Sequence, residues 1–465
     1  MGSRIARITA YGLLPAVLAA GAALGGFELV HHVRIDRAAA ARARSGVPTP
    51  AQLAGATRSP SPLPSSTDAP QPTASGLSRA IATALSAPDL GTQVHASVLD
   101  ATSGAVLADR LGTDAAAPAS TAKLLTAAAV VATRGAGYRI STRVVTGTAA
   151  GTVVLLGAGD PTLTGAQGGA DGAYPDAARL SDLAGQLRAH HVGVDRIVVD
   201  DGLFTGPSTS PAWAPDDVPT DYAAPITAVM ADGGRAAPGD VVRSSAPDLA
   251  AGRELAAALG VPSAAVVRGG APSAARTLAT VNSAPVSELV TQMLLASDNV
   301  IAECLARQVA IASGQPASFA GAVTAIRSTL TRLGADPGAG MRDGSGLAAS
   351  DRLSTAALAG VLDEIVRDPA LHVVLDALPV SGWSGTLADR YQPADGTHAA
   401  AGLVRAKTGT LTGVSSLAGV VHDTDGRLLV FAFIADRVPA SAAGTAAADS
   451  ALDRVAFALQ RCGCR

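Results

Sequence analysis

Lysine and asparagine are nearly missing from this 465-residue chain: Lys123, Lys407, Asn282 and Asn299 are its whole supply. Every other basic residue among the 35 is arginine. A coding bias toward Arg, Ala and Gly accounts for the scarcity. Under that bias the surviving amines mark positions where a guanidinium fails, because arginine cannot give up its proton. Aromatics are only 3% against 48% hydrophobic residues, so the core must be built from Ala, Val, Leu and Ile. Net charge is -3 with no long basic stretch, which excludes a nucleic-acid partner needing a concentrated basic face. No H-E-x-x-H and no G-x-S-x-G occurs, which removes the sequence grounds for a zinc peptidase or an elbow-type Ser-His-Asp hydrolase. Cys304, Cys462 and Cys464 are too few for a disulfide framework and wrongly spaced for zinc. A Cys462–Cys464 or a Cys304–Cys462 bridge both remain open, with Cys304 read as a buried free thiol. Nothing in the sequence calls for a metal or cofactor.

What is there divides the chain. Arg4 and Arg7 precede an apolar run from Ile8 to Phe27, the pattern of an export signal or signal-anchor, long enough to span a bilayer. No cysteine lies near it, so a lipoprotein anchor is excluded. Residues 1–36 are therefore assigned to a signal peptide or signal-anchor helix and 37–76 to a tether rich in Pro, Ser, Thr and Ala, including Pro48, Pro60, Pro62, Pro64 and Pro72. Leu77–Ser86 reads as a short helix. Gln93–Asp100 alternates, with Val94, Ala96 and Val98 on one face, and Ala105–Asp109 returns as its partner. A helix is expected over Ser120–Thr133. From 137 to 283 the character turns to strands, at Tyr138–Thr146, Thr152–Leu156 and Arg196–Asp200, with dense Gly and Pro between. Ser287 is expected to cap a following helix, and another follows Asn299. Strands return at Leu403–Ala406, Ser415–Val421 and Leu428–Ala435 before a closing helix, Ala442–Leu459. Strands at both ends around a helical middle predict an α+β fold whose antiparallel sheet uses both termini.

Three short motifs carry chemistry. Ser120-Thr121-Ala122-Lys123 sets a hydroxyl and an amine three residues apart at a helix start. They share a face, and an amine with a lowered pKa can activate the hydroxyl as a nucleophile. Ser297-Asp298-Asn299 lies between two helices, where Ser297 could relay a proton and the Asn299 amide hold a substrate carbonyl; helix capping is its plainer use. Lys407-Thr408-Gly409, followed by Thr410, sits on a strand, with Lys407 and Thr408 suited to a carboxylate and Gly409 allowing close approach of backbone. Each motif alone is common. Together they hold both lysines and one of the two asparagines of the chain.

The trio resembles the S-x-x-K, S-x-N and K-T-G set of penicillin-binding proteins and serine β-lactamases. From Ser120 to Ser297 is 177 residues and from Ser297 to Lys407 is 110; the first spacing leaves room for an insert directly after the nucleophile helix. That arrangement, with Gly159-Asp160-Pro161-Thr162-Leu163, Asp343-Gly344-Ser345-Gly346-Leu347, Leu378-Pro379-Val380-Ser381-Gly382 and Gly385-Thr386-Leu387, resembles the D-alanyl-D-alanine carboxypeptidase/endopeptidase family (class C penicillin-binding proteins, peptidase family S13). The resemblance covers about residues 77–460. It implies a penicillin-binding transpeptidase fold formed by 77–136 and 284–465, with 137–283 as a single inserted β-rich domain. It implies acylation of Ser120 by the terminal D-Ala-D-Ala of peptidoglycan stem peptides, Lys123 as base, Ser297 and Lys407 passing a proton to the leaving D-alanine, backbone N–H groups of Ser120 and Thr410 holding the oxyanion, Lys407 and Thr408 binding the carboxylate, and β-lactam antibiotics as covalent inhibitors. The activity would lie outside the cytoplasmic membrane. The balance of carboxypeptidase and endopeptidase stays open. Against a serine β-lactamase, none of the five glutamates lies in a Glu-x-x-Leu-Asn context for a deacylating water. A catalytically dead wall-binding protein on the same scaffold is disfavoured by the intact motif side chains. The same residues predict that Lys407→Arg keeps a remnant of activity while Lys123→Arg does not.

Overall fold

The computed structural model describes residues 69–464. The proposed membrane segment and the tether up to residue 68 lie outside them. Helix α1 (Ala74–Leu85) leads into strands β1 (Val94–Asp100) and β2 (Val106–Arg110), then α2 (Lys123–Arg134). Strands β3 (Ser141–Thr146) and β4 (Thr152–Leu156), helix α3 (Leu180–Ala189), β5 (Arg196–Asp200), α4 (Pro247–Leu259), β6 (Val266–Arg268) and β7 (Thr277–Asn282) follow. Next come α5 (Val286–Leu295), α6 (Asn299–Ala312), α7 (Phe319–Arg332), α8 (Thr355–Arg367) and the short α9 (His372–Asp376). Strands β8 (Val404–Leu411), β9 (Val414–His422) and β10 (Leu428–Ala435) and helix α10 (Ala442–Gln460) complete the chain.

The main sheet runs β2-β1-β10-β9-β8, antiparallel at every pairing. Strand β10 shows why the fold has three layers. Successive strand residues point to opposite faces. Val430, Ala432 and Ile434 enter one core with α2, α5, α6 and α8. Leu429, Phe431 and Phe433 enter the other with α1 and α10. A strand buried on both sides has no polar face, and all eight β10 residues are buried. The expected face of β1 is borne out: Val94, Ala96 and Val98 all join the α1/α10 core. Strand β8, which carries Lys407, is left as an edge.

A second sheet is built only from residues between 141 and 282, in the order β6-β5-β4-β3-β7, with β4, β5 and β6 parallel. Parallel neighbours need a crossover, and α3 and α4 supply them, burying Leu183, Leu187 and Leu255 on the sheet. These two helices were not anticipated from the strand-like text around them. The Gln186 side chain bonds both N–H and C=O of Thr280 on edge strand β7, at 3.0 and 2.9 Å, which blocks that edge from pairing elsewhere.

Three local expectations change. The tether ends earlier than residue 76: Thr73 caps α1, its N–H reaches the Cys464 carbonyl at 2.7 Å, and Arg427 holds the Ala69 carbonyl at 3.0 Å. Ser287 is not a cap; α5 begins at Val286, and the N-cap position is held by Pro285 with no side-chain cap. The nucleophile turn is 3₁₀ at Ala119–Ala122, and the α-helix proper starts at Lys123. Cys462 and Cys464 form the disulfide, and Cys304 is a buried free thiol.

Candidate active site

The 3₁₀ turn decides how Ser120 meets Lys123. Such a turn stacks residues three apart, and Lys123 Nζ lies 2.9 Å from Ser120 Oγ. The turn is entered through Ala119 at φ 47, a conformation that costs a residue with a Cβ about 1–2 kcal/mol. It is pinned by the Thr121 and Ser416 hydroxyls, each donating to the Pro118 carbonyl at 2.6 Å. Gly346 packs so close that a Cβ there would stand 1.9 Å from the Ala119 carbonyl oxygen. Lys123 is fully buried. Its other two contacts are Asn299 Oδ1 at 2.6 Å and the Ser345 carbonyl at 2.7 Å. Burial lowers its pKa to about 8, against the opposing pull of Asp343, Asp298, Glu303 and Asp351.

The partners explain its direction. A neutral amine has two hydrogens and one lone pair. Asn299 Oδ1 and the Ser345 carbonyl can only accept, so they take the hydrogens and the lone pair is left facing Ser120 Oγ.

Ser297-Asp298-Asn299 joins α5 to α6. Ser297 sits at φ 55, and Asp298 caps α6 by accepting from the Val300 and Ile301 N–H groups. Helix capping, the plainer use of this motif, is present. Burial alone would raise the Asp298 carboxyl, but Arg243 and Arg235, the Ile301 N–H and the Tyr174 hydroxyl outweigh it and hold it far below the usual 3.8. The stability this adds is present above about pH 4 and is lost only in strong acid as pH falls through the lowered folded value. Arg243 meets Asp298 at 3.1 Å with both side chains 3% exposed. Breaking a buried pair strands its partner, so Asp298→Ala will lower unfolding free energy by about 3–5 kcal/mol, measurable by urea titration. The Asn299 amide nitrogen donates one of its two hydrogens to the Tyr222 carbonyl at 3.2 Å.

On β8, Lys407 is also fully buried. Its Nζ lies 2.9 Å from Ser297 Oγ and 2.9 Å from the Thr408 carbonyl. Burial, then the positive charges of Lys123 and Arg390, hold it well below its ordinary value. Thr408 Oγ1 touches Thr386 Oγ1 at 2.7 Å, and Thr410 is exposed. A Cβ on Gly409 would stand 3.0 Å from the Ser120 nitrogen and 2.7 Å from the Pro118 carbonyl oxygen, so β8 lies directly against the nucleophile turn. Ser120, Lys123, Ser297, Asn299, Lys407, Thr408 and Gly409 are therefore joined in one cluster.

The sequence missed the framework behind it. Asp343 Oδ1 accepts from the Ser345 and Gly346 N–H groups at 3.0 and 2.6 Å, shaping the loop whose carbonyl receives Lys123. Glu303 accepts from the Gly344 N–H at 2.9 Å; burial and Asp343 push it up to about 7. Asp351 is pushed up to about 9 by the same two causes. Asp343 stood in a recognised stretch but had no assigned role. Among the described residues no group of three His, Cys, Asp or Glu could hold a metal ion.

The family profile described as D-Ala-D-Ala carboxypeptidase 3 (S13) matches residues 77–241 and 237–459. The chain belongs to that family. It is 44% identical over 409 residues to Carboxypeptidase Rv3627c of Mycobacterium tuberculosis, covering 86% of this chain and 87% of that one. It is 43% identical over 420 residues to Carboxypeptidase DacB of Mycolicibacterium smegmatis, covering 88% and 89%. The solved structure of penicillin binding protein 4 from Haemophilus influenzae superposes with a TM-score of 0.66 at 22% identity, covering 82% of this chain and 98% of that one. As a member of the S13 family with a penicillin-binding fold, the chain has the expected α+β sandwich.

Proposed function

We propose that this S13 carboxypeptidase acylates through Ser120, with Lys123 as its base. Family membership gives the reaction, hydrolysis of terminal D-Ala-D-Ala in peptidoglycan, and so an extracytoplasmic place of work. The observation that carries the residue roles is the aim of the Lys123 lone pair at Ser120, enforced by two acceptor-only partners. Neutral Lys123 takes the Oγ proton as Oγ bonds to the carbonyl carbon between the two D-alanines. The Ser120 N–H and the Thr410 N–H on β8 stabilise the oxyanion. Lys407, through Ser297 Oγ, delivers a proton to the departing D-alanine nitrogen. Thr408 and Thr410 hydroxyls receive the substrate carboxylate in the field of Lys407. The proton held by Lys123 then replaces the one Lys407 gave up, which leaves Lys123 neutral again; water attacks the acyl-enzyme, Lys123 accepts its proton, and Ser120 Oγ takes that proton as it leaves the acyl carbon. β-Lactams enter the same path and leave a slow adduct. Residues 137–283 form one inserted domain, and Ile8–Phe27 tethers the enzyme to the membrane.

Fluorescent penicillin will label the wild-type protein one-to-one and will not label Ser120→Ala; equal labelling of both would remove Ser120 as nucleophile. Mass analysis of muropeptides from the same incubation reads the reaction directly: loss of one alanine marks carboxypeptidase action, and split dimers mark endopeptidase action.

A further inference from the structure

The two acceptors that aim Lys123 are each held from the insert. The Tyr222 carbonyl takes the Asn299 amide N–H at 3.2 Å, which turns Asn299 Oδ1 toward Lys123. On the other side, Trp213 Nε1 donates to Asp343 Oδ2 at 2.6 Å. Asp343 also accepts from the Ala348 N–H at 2.8 Å, so with Ser345 and Gly346 its carboxylate is fully occupied. Trp213 is 6% exposed and packs edge-to-face on Phe319 at 5.2 Å. It belongs to an apolar cluster shared between the insert (Ala223, Ala224, Ile226) and the catalytic framework (Val300, Leu347). Val300 adjoins Asn299, and Leu347 lies two residues beyond Ser345. The insert thus closes over the elements that present both acceptors.

We propose that Trp213 is a positioning residue for Lys123: its indole N–H fixes Asp343, and through Asp343 the Ser345 carbonyl that receives the amine. The role of the insert is then to aim the catalytic base, quite apart from any contact with substrate. The inference rests on Ser120 and Lys123 being nucleophile and base. The groups facing Lys123 are Ser120 on its own turn, Asn299, Asp298 and Glu303 on or capping α6, Ser345, Asp343 and Asp351 from the loop before α8, and Lys407 on β8. Of these, only the Asp343–Ser345 pair depends on Trp213.

The test uses the full chain with Trp213→Phe, and with β-(3-benzothienyl)alanine at position 213, an isostere that fills the same space without an N–H. The second-order rate constant for acylation by fluorescent penicillin is followed from pH 6 to 10. Loss of the N–H lets the loop relax and the ammonium lose a fixed acceptor. Acylation falls roughly tenfold, and the acid limb set by Lys123 moves to lower pH in both variants. A purely packing role would spare the isostere and leave the limb in place. Wild-type rate and limb in the folded isostere variant overturn the proposal. If Ser120→Ala still acylates, the reading of the site itself fails; if Ser120→Ala is dead and the isostere is unaffected, only this inference fails.

Discussion

Replacing Lys123 by arginine will abolish acylation, with fluorescent-penicillin labelling down by at least about 10³-fold, the upper part of the range for losing a general base. Three features converge on this. The amine lies 2.9 Å from Ser120 Oγ. Its burial brings its pKa to about 8, so a useful fraction is neutral near physiological pH, which no guanidinium can be. Its cavity is closed by Asn299 and the Ser345 carbonyl at 2.6 and 2.7 Å, leaving no room for a larger fork of donors. Stopped-flow acylation measures the loss. A Lys123→Arg enzyme within tenfold of wild type would mean that another group takes the proton. Lys407 changes standing beside it. The expectation that arginine there would keep a measurable remnant assumed a compact ammonium in a tight site. Full burial and the repulsion of Lys123 and Arg390 make Lys407 another amine poised to move a proton, so Lys407→Arg is expected to lose about 10²-fold or more.

Rarity was the most informative signal in the sequence. Both lysines and Asn299 meet in one cluster, because a chain biased toward arginine keeps an amine only where proton transfer or size demands it. The same signal lay in tryptophan and went unweighed: the chain has two, and Trp213 supports the loop that holds the base. The rest of the framework was illegible for a different reason. The groups that orient Lys123 and Asn299 are the carbonyls of Ser345 and Tyr222, and every residue carries a carbonyl, so no side-chain pattern marks them. The main sheet was legible because β1 alternates and β10 is apolar throughout. Helices α3 and α4 were not placed, since their helical spacing lay between short strands that set the reading of the whole region. The offset of Ser120 into a 3₁₀ turn could not be seen either: S-x-x-K puts the two groups together in a 3₁₀ turn and an α-helix alike.

Gly409→Ala will separate folding from catalysis. The added methyl meets Ser416 Oγ, the Pro118 carbonyl and the Ser120 nitrogen. The serine hydroxyl can rotate away, but the other two are backbone atoms of the pinned nucleophile turn. Strand β8 must therefore move outward, and as the sheet's edge it can do so without dragging other strands. The shift takes the Thr410 N–H and the Thr408 hydroxyl away from Ser120. Losing one oxyanion donor costs about 10²–10³-fold in rate, and acylation is expected to fall by that much. Stability should drop by only about 1–3 kcal/mol, the range for a single overpacked methyl. Gly360 in α8 is the matched control, because nothing lies within 4 Å of a Cβ placed there and alanine suits a helix interior. Gly360→Ala should keep full acylation and gain about 0.4–1 kcal/mol. Urea titration and penicillin labelling on the two variants read both quantities. A Gly409→Ala enzyme that is destabilised yet acylates at the wild-type rate would show that β8 does not supply the second oxyanion donor, and the donor would then have to be sought outside the strand that carries Lys407.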